Sequence, residues 1–276
     1  MEVHQTLPQS TTTPIPTPTD STYPNIVTVS APGKALIAGG YLVLESPNPG
    51  VVLAAEGCRF HTTVTFQPPY VTNSFEGGGM VIGNSVDASW ESFLLDVYSP
   101  QFDRIFSYYL SYSLTSNEAK EGDNNISIRL QPRKKDHQPN KFVERSLLLA
   151  LGYLQQSLGA ETFHSRLQQY QGTFNSGERV ALAIKLRADN DFYSQITRLQ
   201  ERGLDLTPQN LEMLEPFLPC PKDESTGEVI VNKTGMGSSA ALVTSIVGAL
   251  LQFFGVVSLP TSMEDTSIDK VKNTVR

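Results

Sequence analysis

The chain has 276 residues, of which 39% are apolar and 18% charged, proportions typical of a globular protein with a substantial core. Its formal net charge is -7 at pH 7, whereas proteins that bind nucleic-acid backbones present a basic face. The composition therefore excludes a general nucleic-acid-binding protein, but it allows a local basic pocket for small anions.

The cysteines and histidines exclude two further classes. Cys58 and Cys220 lie far apart in sequence, so they predict no disulfide framework and indicate a reducing compartment, for which we expect the cytoplasm. Zinc sites need closely spaced ligands. We find no such spacing among the four histidines, which are His4, His61, His137 and His164.

The first 24 residues are predicted to be a disordered tail. They contain no Lys or Arg and no apolar core, so they are not a signal peptide. Residues 10–22 are almost entirely Ser, Thr and Pro, and such a segment cannot bury enough apolar surface to offset its ordering entropy.

The first half of the remaining chain reads mainly as strands. Strands are predicted at 26–30, 51–55, 59–66 and 127–130. Apolar runs at 34–38 and 41–45 flank Gly39 and Gly40, and this pattern predicts a tight hairpin because glycine tolerates positive φ. Gly, Pro, Asn and Ser at 67–90 predict a loop, and 131–139 reads as a polar turn.

The second half mixes helices and loops. Helices are predicted at 142–157, 197–202 and 238–254, the last ended by Gly255, and another helical pattern begins at 264–271. The polar segment 159–178 reads as inserted surface, 208–221 as mostly loop, 228–231 as a strand and 232–237 as a loop. Residues 180–186 fit either a helix or a strand.

One segment is apolar enough to need a membrane test. Residues 240–259 could span a bilayer, and no charge occurs from 234 to 263. The segment is nevertheless interrupted by Gly248 and Gly255 and contains polar residues. A helix that is apolar on all sides can equally lie in a protein core. We therefore expect a buried helix and no membrane partner, with a membrane-anchored protein as the alternative.

A glycine- and serine-rich loop precedes this helix and predicts a phosphate site. Glycines let the backbone approach a phosphate, and the first N–H groups of a helix bind anions. The serine hydroxyls can cap the helix, bind a phosphate oxygen or ligate Mg²⁺. The alternative is that a Ser N-cap simply turns the chain into a buried helix. The candidate residues are Lys233, Thr234, Gly235, Met236, Gly237, Ser238, Ser239, Ala240 and Ala241.

The loop matches neither of the two commonest nucleotide fingerprints. In a Walker A loop the lysine follows the glycines, but here Lys233 precedes them. The third glycine of the Rossmann pattern is absent. A second motif at residues 30–41 contains Lys34 after Pro32 and Gly33. Lys34 is either an ordinary surface lysine or a cation that meets a transferring phosphoryl group.

Together, these two motifs resemble the first and second motifs of the GHMP kinases, a superfamily of small-molecule kinases. A-P-G-K followed by A-G-G-Y, and K-T-G-M-G-S-S-A-A, are similar to the versions in fungal phosphomevalonate kinases. The segment N-D-F-Y-S at 190–194 is similar to one that precedes the second motif there, which favours a strand at 180–186.

The resemblance implies an α+β domain of the ribosomal protein S5 domain 2-like type over residues 25–276. It implies transfer of the γ-phosphoryl group of ATP to the phosphate of 5-phosphomevalonate, with Mg²⁺. Residues 235–241 would hold the ATP phosphates, and Ser239, or alternatively Ser238, would ligate or orient Mg²⁺. Lys34 would contact the transferring or acceptor phosphate, with Lys233 as a second candidate.

The resemblance also implies that the chain corresponds to the N-terminal part of such a kinase. The aspartate-bearing segment and the third glycine-rich motif of the family are not found before Arg276. Two alternatives remain open: another GHMP kinase such as mevalonate kinase, whose acceptor carries no phosphate, and a non-catalytic nucleotide-binding remnant.

Overall fold

The computed structural model describes residues 25–68, 90–114, 128–133, 140–169 and 180–260. The predicted tail at 1–24, most of the predicted loop at 67–90 and the helical pattern at 264–271 lie outside these described residues. Within them the chain is α+β, as the resemblance implies.

The strands form one mixed sheet. They are β1 (Ile26–Ala38), β2 (Val51–Gln67), β3 (Trp90–Ser99), β4 (Arg104–Ser113), β5 (Ile128–Pro132) and β6 (Ala181–Ala188). Their order across the sheet is β1-β2-β6-β3-β4-β5, and all neighbours pair antiparallel except β3 and β6, which are parallel. Residues 181–188 are thus a central strand, which confirms the strand interpretation for that segment.

Five helices lie in the described residues. They are α1 (Lys141–Leu158), α2 (Ala160–Gln169), α3 (Ile196–Glu201), α4 (Pro208–Glu212) and α5 (Ser238–Phe253). Helix α5 packs against β1, β2 and α1. The β2 side chains Phe60, Val64 and Phe66 are buried at alternate positions, and the Phe66 ring centroid lies 5.5 Å from that of Phe253. This layer positions the first turn of α5 beside β1.

The predicted hairpin at Gly39 and Gly40 is wrong. Both glycines have positive φ, as expected, but Gly40–Leu44 forms a 3-10 turn, and β1 pairs with β2 instead. Pro47 and Pro49 follow this turn, and proline cannot donate to a strand ladder. The partner strand therefore begins only at Val51.

The two strands predicted at 51–55 and 59–66 are parts of one continuous strand, β2. Its pairing with β1 shifts between Pro32, which lies opposite Arg59, and Gly33, which lies opposite Ala55. Residues 56–58 therefore form a bulge. A bulge bends a strand and changes the direction of the neighbouring side chains. This bulge lies opposite the step from Pro32 to Gly33 of β1, just before Lys34.

Three other segments differ from the sequence prediction. No element was predicted for β3 and β4, because β3 is largely buried on both faces and gives no alternating pattern. Residues 160–169 form α2 rather than inserted surface, since Phe163 and Leu167 lie one turn apart and are fully buried. The strand predicted at 228–231 is reduced to a single bridge between Val229 and Lys222.

The helices at 142–157, 197–202 and 238–254 are confirmed as α1, α3 and α5 to within about two residues at each end. The segment 208–221 is mostly loop but begins with the short α4. In the part of the chain that the structure describes, no helix is long and apolar enough to cross a membrane.

Candidate active site

The predicted phosphate loop ends in a glycine cap. Gly235 and Gly237 have φ of 87° and 72°, a left-handed conformation that favours glycine. The carbonyl of Gly237 accepts hydrogen bonds from the N–H groups of Ala240 and Ala241, at 3.0 and 3.2 Å. No side chain caps the helix. The alternative in which a serine is the N-cap is therefore wrong.

The first two residues of α5 have unused polar groups. Among the described residues, the N–H groups of Ser238 and Ser239 donate no hydrogen bond, and neither hydroxyl forms one. Both residues are only partly exposed. Unpaired N–H groups at the positive end of a helix dipole attract anions.

Lys34 lies directly against this loop, although the two are far apart in sequence. Its N–H donates to the carbonyl of Met236 at 2.8 Å. Its side chain covers Gly237, since a Cβ added there would lie 2.9 Å from Lys34 Cγ and 3.6 Å from Cε. Lys34 is exposed, so its ammonium group is accessible to an anion at the helix terminus.

The glycine before Lys34 is required by close packing. A Cβ on Gly33 would lie 2.7 Å from the carbonyl oxygen of Met236 and 3.1 Å from the ring of Phe192. Glycine therefore allows β1, the phosphate loop and the segment around Phe192 to meet at one point. This requirement explains why the A-P-G-K motif contains glycine.

The segment at 190–194 holds the loop from the other side. The carbonyl of Phe192 accepts a hydrogen bond from Thr234 N at 3.2 Å, and the carbonyl of Asp191 accepts one from Thr234 Oγ1 at 2.5 Å. Tyr193 forms an antiparallel bridge with Lys233, whose side chain is exposed. All of the predicted phosphate-site residues are thus brought together with Lys34.

A pocket that the sequence analysis did not find opens beside this loop. Its volume is about 640 Å³. It is lined by the segment after β6, by α3 and α4, and by the loop at 214–217, and it reaches Thr234 of the phosphate loop. Because its walls come from separate segments, no local sequence pattern marks it.

The pocket and the loop differ in charge. Asp189, Asp191 and Glu212 are among the pocket lining, with apolar groups that include Leu206 and Phe217. The loop end has Lys34 and Lys233 instead. The whole site therefore suits a molecule with an anionic end at the loop and an uncharged end in the pocket.

A buried thiol lies near two carboxylates of the pocket. Burial, with the negative charges of Asp191 and Asp189, raises the pKa of Cys58 to about 12, so its thiol stays protonated near neutral pH. Within the described ranges, no group of three or more His, Cys, Asp or Glu side chains could hold a metal ion.

Comparison with curated proteins found relatives of one kind. The chain is 34% identical over 243 residues to a peroxisomal phosphomevalonate kinase of Arabidopsis thaliana. The matched region covers 84% of this chain and 40% of the relative. The chain is a relative of the phosphomevalonate kinases. Enzymes of that name from Aspergillus fumigatus and Gibberella zeae are 29% and 28% identical, over 83% and 90% of this chain and 41% and 44% of their own lengths.

These comparisons confirm the predicted resemblance to phosphomevalonate kinases, including fungal ones. The chain spans about 40% of the length of the curated relatives that it matches. No family model matches the chain, and no solved structure matches it.

Proposed function

We propose that this chain forms the ATP-binding part of a kinase that converts 5-phosphomevalonate to 5-diphosphomevalonate, a step in isoprenoid and sterol precursor synthesis. The observation that carries the proposal is the contact of Lys34 with Gly237, which would bring a cation beside the unpaired N–H groups at the start of α5. The names of its relatives support the same reaction.

The reaction joins two anions, so catalysis depends on position and on cationic shielding. The N–H groups of Ser238 and Ser239 would bind oxygens of the ATP phosphates. Lys34 would neutralise charge on the transferring phosphoryl group or on the acceptor phosphate, and Lys233, on the phosphate loop, is a second cation.

The pocket would take the nucleoside end of ATP. Its carboxylates Asp189, Asp191 and Glu212 would repel an acceptor that carries both a phosphate and a carboxylate, whereas the adenosine moiety is uncharged. Its apolar walls suit a flat base. With the triphosphate on the loop, the acceptor would then approach from the Lys34 side.

Mg²⁺ fits this site only as a companion of the phosphates. It usually keeps several waters and binds few protein oxygens beside substrate phosphates. The Ser239 hydroxyl, with the Ser238 hydroxyl as the alternative, forms no cap hydrogen bond and lies at the helix terminus where the phosphates would bind. When bound, Mg²⁺ would neutralise phosphate charge.

The finer description of the fold belongs to the same proposal. We infer that residues 25–276 form a ribosomal protein S5 domain 2-like domain, which would be the N-terminal, ATP-binding domain of the kinase. Two observations support this division: the mixed sheet of an α+β chain, and the match of the chain to less than half of the length of each relative. The cytoplasmic location stays a prediction.

The test is ADP release from Mg-ATP with either 5-phosphomevalonate or mevalonate. We expect release that depends on 5-phosphomevalonate. Dependence on mevalonate would favour the mevalonate kinase alternative, and ATP binding without release would favour a non-catalytic remnant. Ser239→Ala should lower turnover with little change in melting temperature, whereas the exposed Ser258→Ala should change neither.

A further inference from the structure

One side chain joins the two walls of the pocket. The Nδ2 group of Asn190 donates to the carbonyl of Glu215 at 2.8 Å, and its Oδ1 accepts from the N–H of Leu218 at 2.9 Å. Both ends of the amide therefore hold the backbone of a loop more than twenty residues away in sequence. The two residues between these bonds, Pro216 and Phe217, line the pocket.

The loop that Asn190 holds has an unfavourable conformation. Phe217 has φ of 59°, in the left-handed region that residues with a Cβ rarely adopt. Such a conformation persists only when the surroundings fix it, and it is found often at ligand sites. Arg187 lies over the Phe217 ring, with its Cζ 4.6 Å from the centroid, and the His61 ring meets it edge-on at 5.3 Å.

Asn190 also belongs to the turn that holds the phosphate loop. It begins the 3-10 turn Asn190–Phe192, and the carbonyl of Phe192 accepts the hydrogen bond from Thr234. The Asn190 carbonyl accepts bonds from Tyr193 N at 3.0 Å and from Gln195 Nε2 at 3.2 Å. The backbone of Asn190 is therefore fixed relative to the phosphate loop, and its side chain fixes the position of Phe217 relative to that same loop.

We propose that Asn190 is a positioning residue for the nucleotide, because it sets the distance between the aromatic wall at Phe217 and the phosphate loop. The inference rests on the proposed function in one respect, which is that the pocket takes the nucleoside. It predicts an effect that a general structural role would not have. Loss of the Asn190 amide should weaken binding of a ligand that spans both places, and it should spare a ligand that binds the loop alone.

The experiment compares two ligands by calorimetry, ATP and inorganic tripolyphosphate, on the whole chain. Asn190→Ala should weaken ATP binding roughly tenfold, the effect of losing two hydrogen bonds that fix the wall, and leave tripolyphosphate affinity unchanged. Asn210→Ala is the matched control, because that side chain also donates to a backbone carbonyl, of Asp205 at 2.8 Å, but does not line the pocket.

A second variant keeps the test decisive if Asn190→Ala does not fold. Phe217→Gly removes the ring and places glycine where φ is positive, so the backbone should stay folded. It should weaken ATP binding and spare tripolyphosphate in the same way. Asn190→Gln, which keeps both polar groups on a longer arm, should recover part of the ATP affinity.

The outcomes separate this inference from the proposed function. Equal ATP affinity in Asn190→Ala and the unaltered chain overturns the inference alone. A parallel loss of both ligands also overturns it, because the effect would then be general disorder of the loop. If the unaltered chain fails to bind tripolyphosphate, or binds ATP no more tightly than tripolyphosphate, the proposed function fails and the role of Asn190 fails with it.

Discussion

The phosphate loop and the adjoining pocket are built in different ways. The loop is nine consecutive residues, and its chemistry comes from backbone N–H groups, glycine conformation and one lysine. The pocket is assembled from segments at 189–196, 206–217 and 234, which are joined by side-chain amides. A local pattern therefore reveals the first, whereas the second exists only when distant segments are correctly held.

A second amide shows the same principle. Gln101 is buried, and its Nε2 donates to the carbonyls of Ala188 and Leu218 at 2.8 and 3.2 Å, while its Oε1 accepts from Ala188 N at 2.6 Å. It thus ties the end of β6 to the loop at 214–218. With Asn190, it gives the pocket two clamps on one loop.

The largest expected effect is at Gly33, where the loop meets β1. Gly33→Ala should lower the free energy of unfolding by about 1–3 kcal/mol, because the added Cβ overlaps the Met236 carbonyl, and it should also weaken tripolyphosphate binding. Chemical denaturation and calorimetry measure the two effects. Gly57→Ala is the control, since nothing lies within 4 Å of a Cβ there. Equal stability of the two variants would contradict the packing argument.

The next effect concerns a pair of buried hydroxyl groups that joins α5 to β2. The Ser245 hydroxyl donates to the Leu242 carbonyl at 3.0 Å, and it lies 2.7 Å from the buried Thr62 hydroxyl. Ser245→Ala should cost about 1–2 kcal/mol of stability, because the Thr62 hydroxyl loses its partner. Tripolyphosphate binding should not change. Adding Thr62→Val should recover much of the loss, and failure to do so would show that the hydroxyl pair is not the cause.

These elements also show what the sequence could predict. Helix α5 and its loop were predicted nearly to the residue, because Gly237 and Gly255 mark its ends locally. The contact of Lys34 with Gly237 was not derivable from either motif, and the family resemblance implied only that both motifs meet phosphate groups. The pairing of β1 with β2 was not predicted. Prolines delay the start of β2, and no local pattern identifies the strand that pairs with β1.

A smaller effect separates charge from packing at the loop. Lys34→Ala should weaken tripolyphosphate binding by roughly tenfold, since a charge-assisted contact is lost, and leave the melting temperature almost unchanged because Lys34 is exposed. The difference should shrink at high salt. Lys222→Ala, which removes an exposed ion pair with Asp103, should not alter binding. Normal affinity in Lys34→Ala would return Lys34 to the ordinary surface lysines.

The smallest effect concerns Cys58, which is buried near Asp189 and Asp191 of the pocket. Burial raises the pKa of Cys58 in the folded state to about 12 from its ordinary value of 9.0. The neutral thiol is therefore fully favoured below about pH 9, and the stability that it contributes is lost as pH rises from about 9 toward 12. Alkylation by iodoacetamide at pH 8 should therefore be much slower in the folded chain than in urea. The Cys58→Ala variant should lose less stability over that alkaline range. Rapid labelling of Cys58 in the folded chain would mean that this part of the pocket wall opens readily. That result would contradict the fixed pocket geometry that the hydrogen bonds of Asn190 and Gln101 indicate.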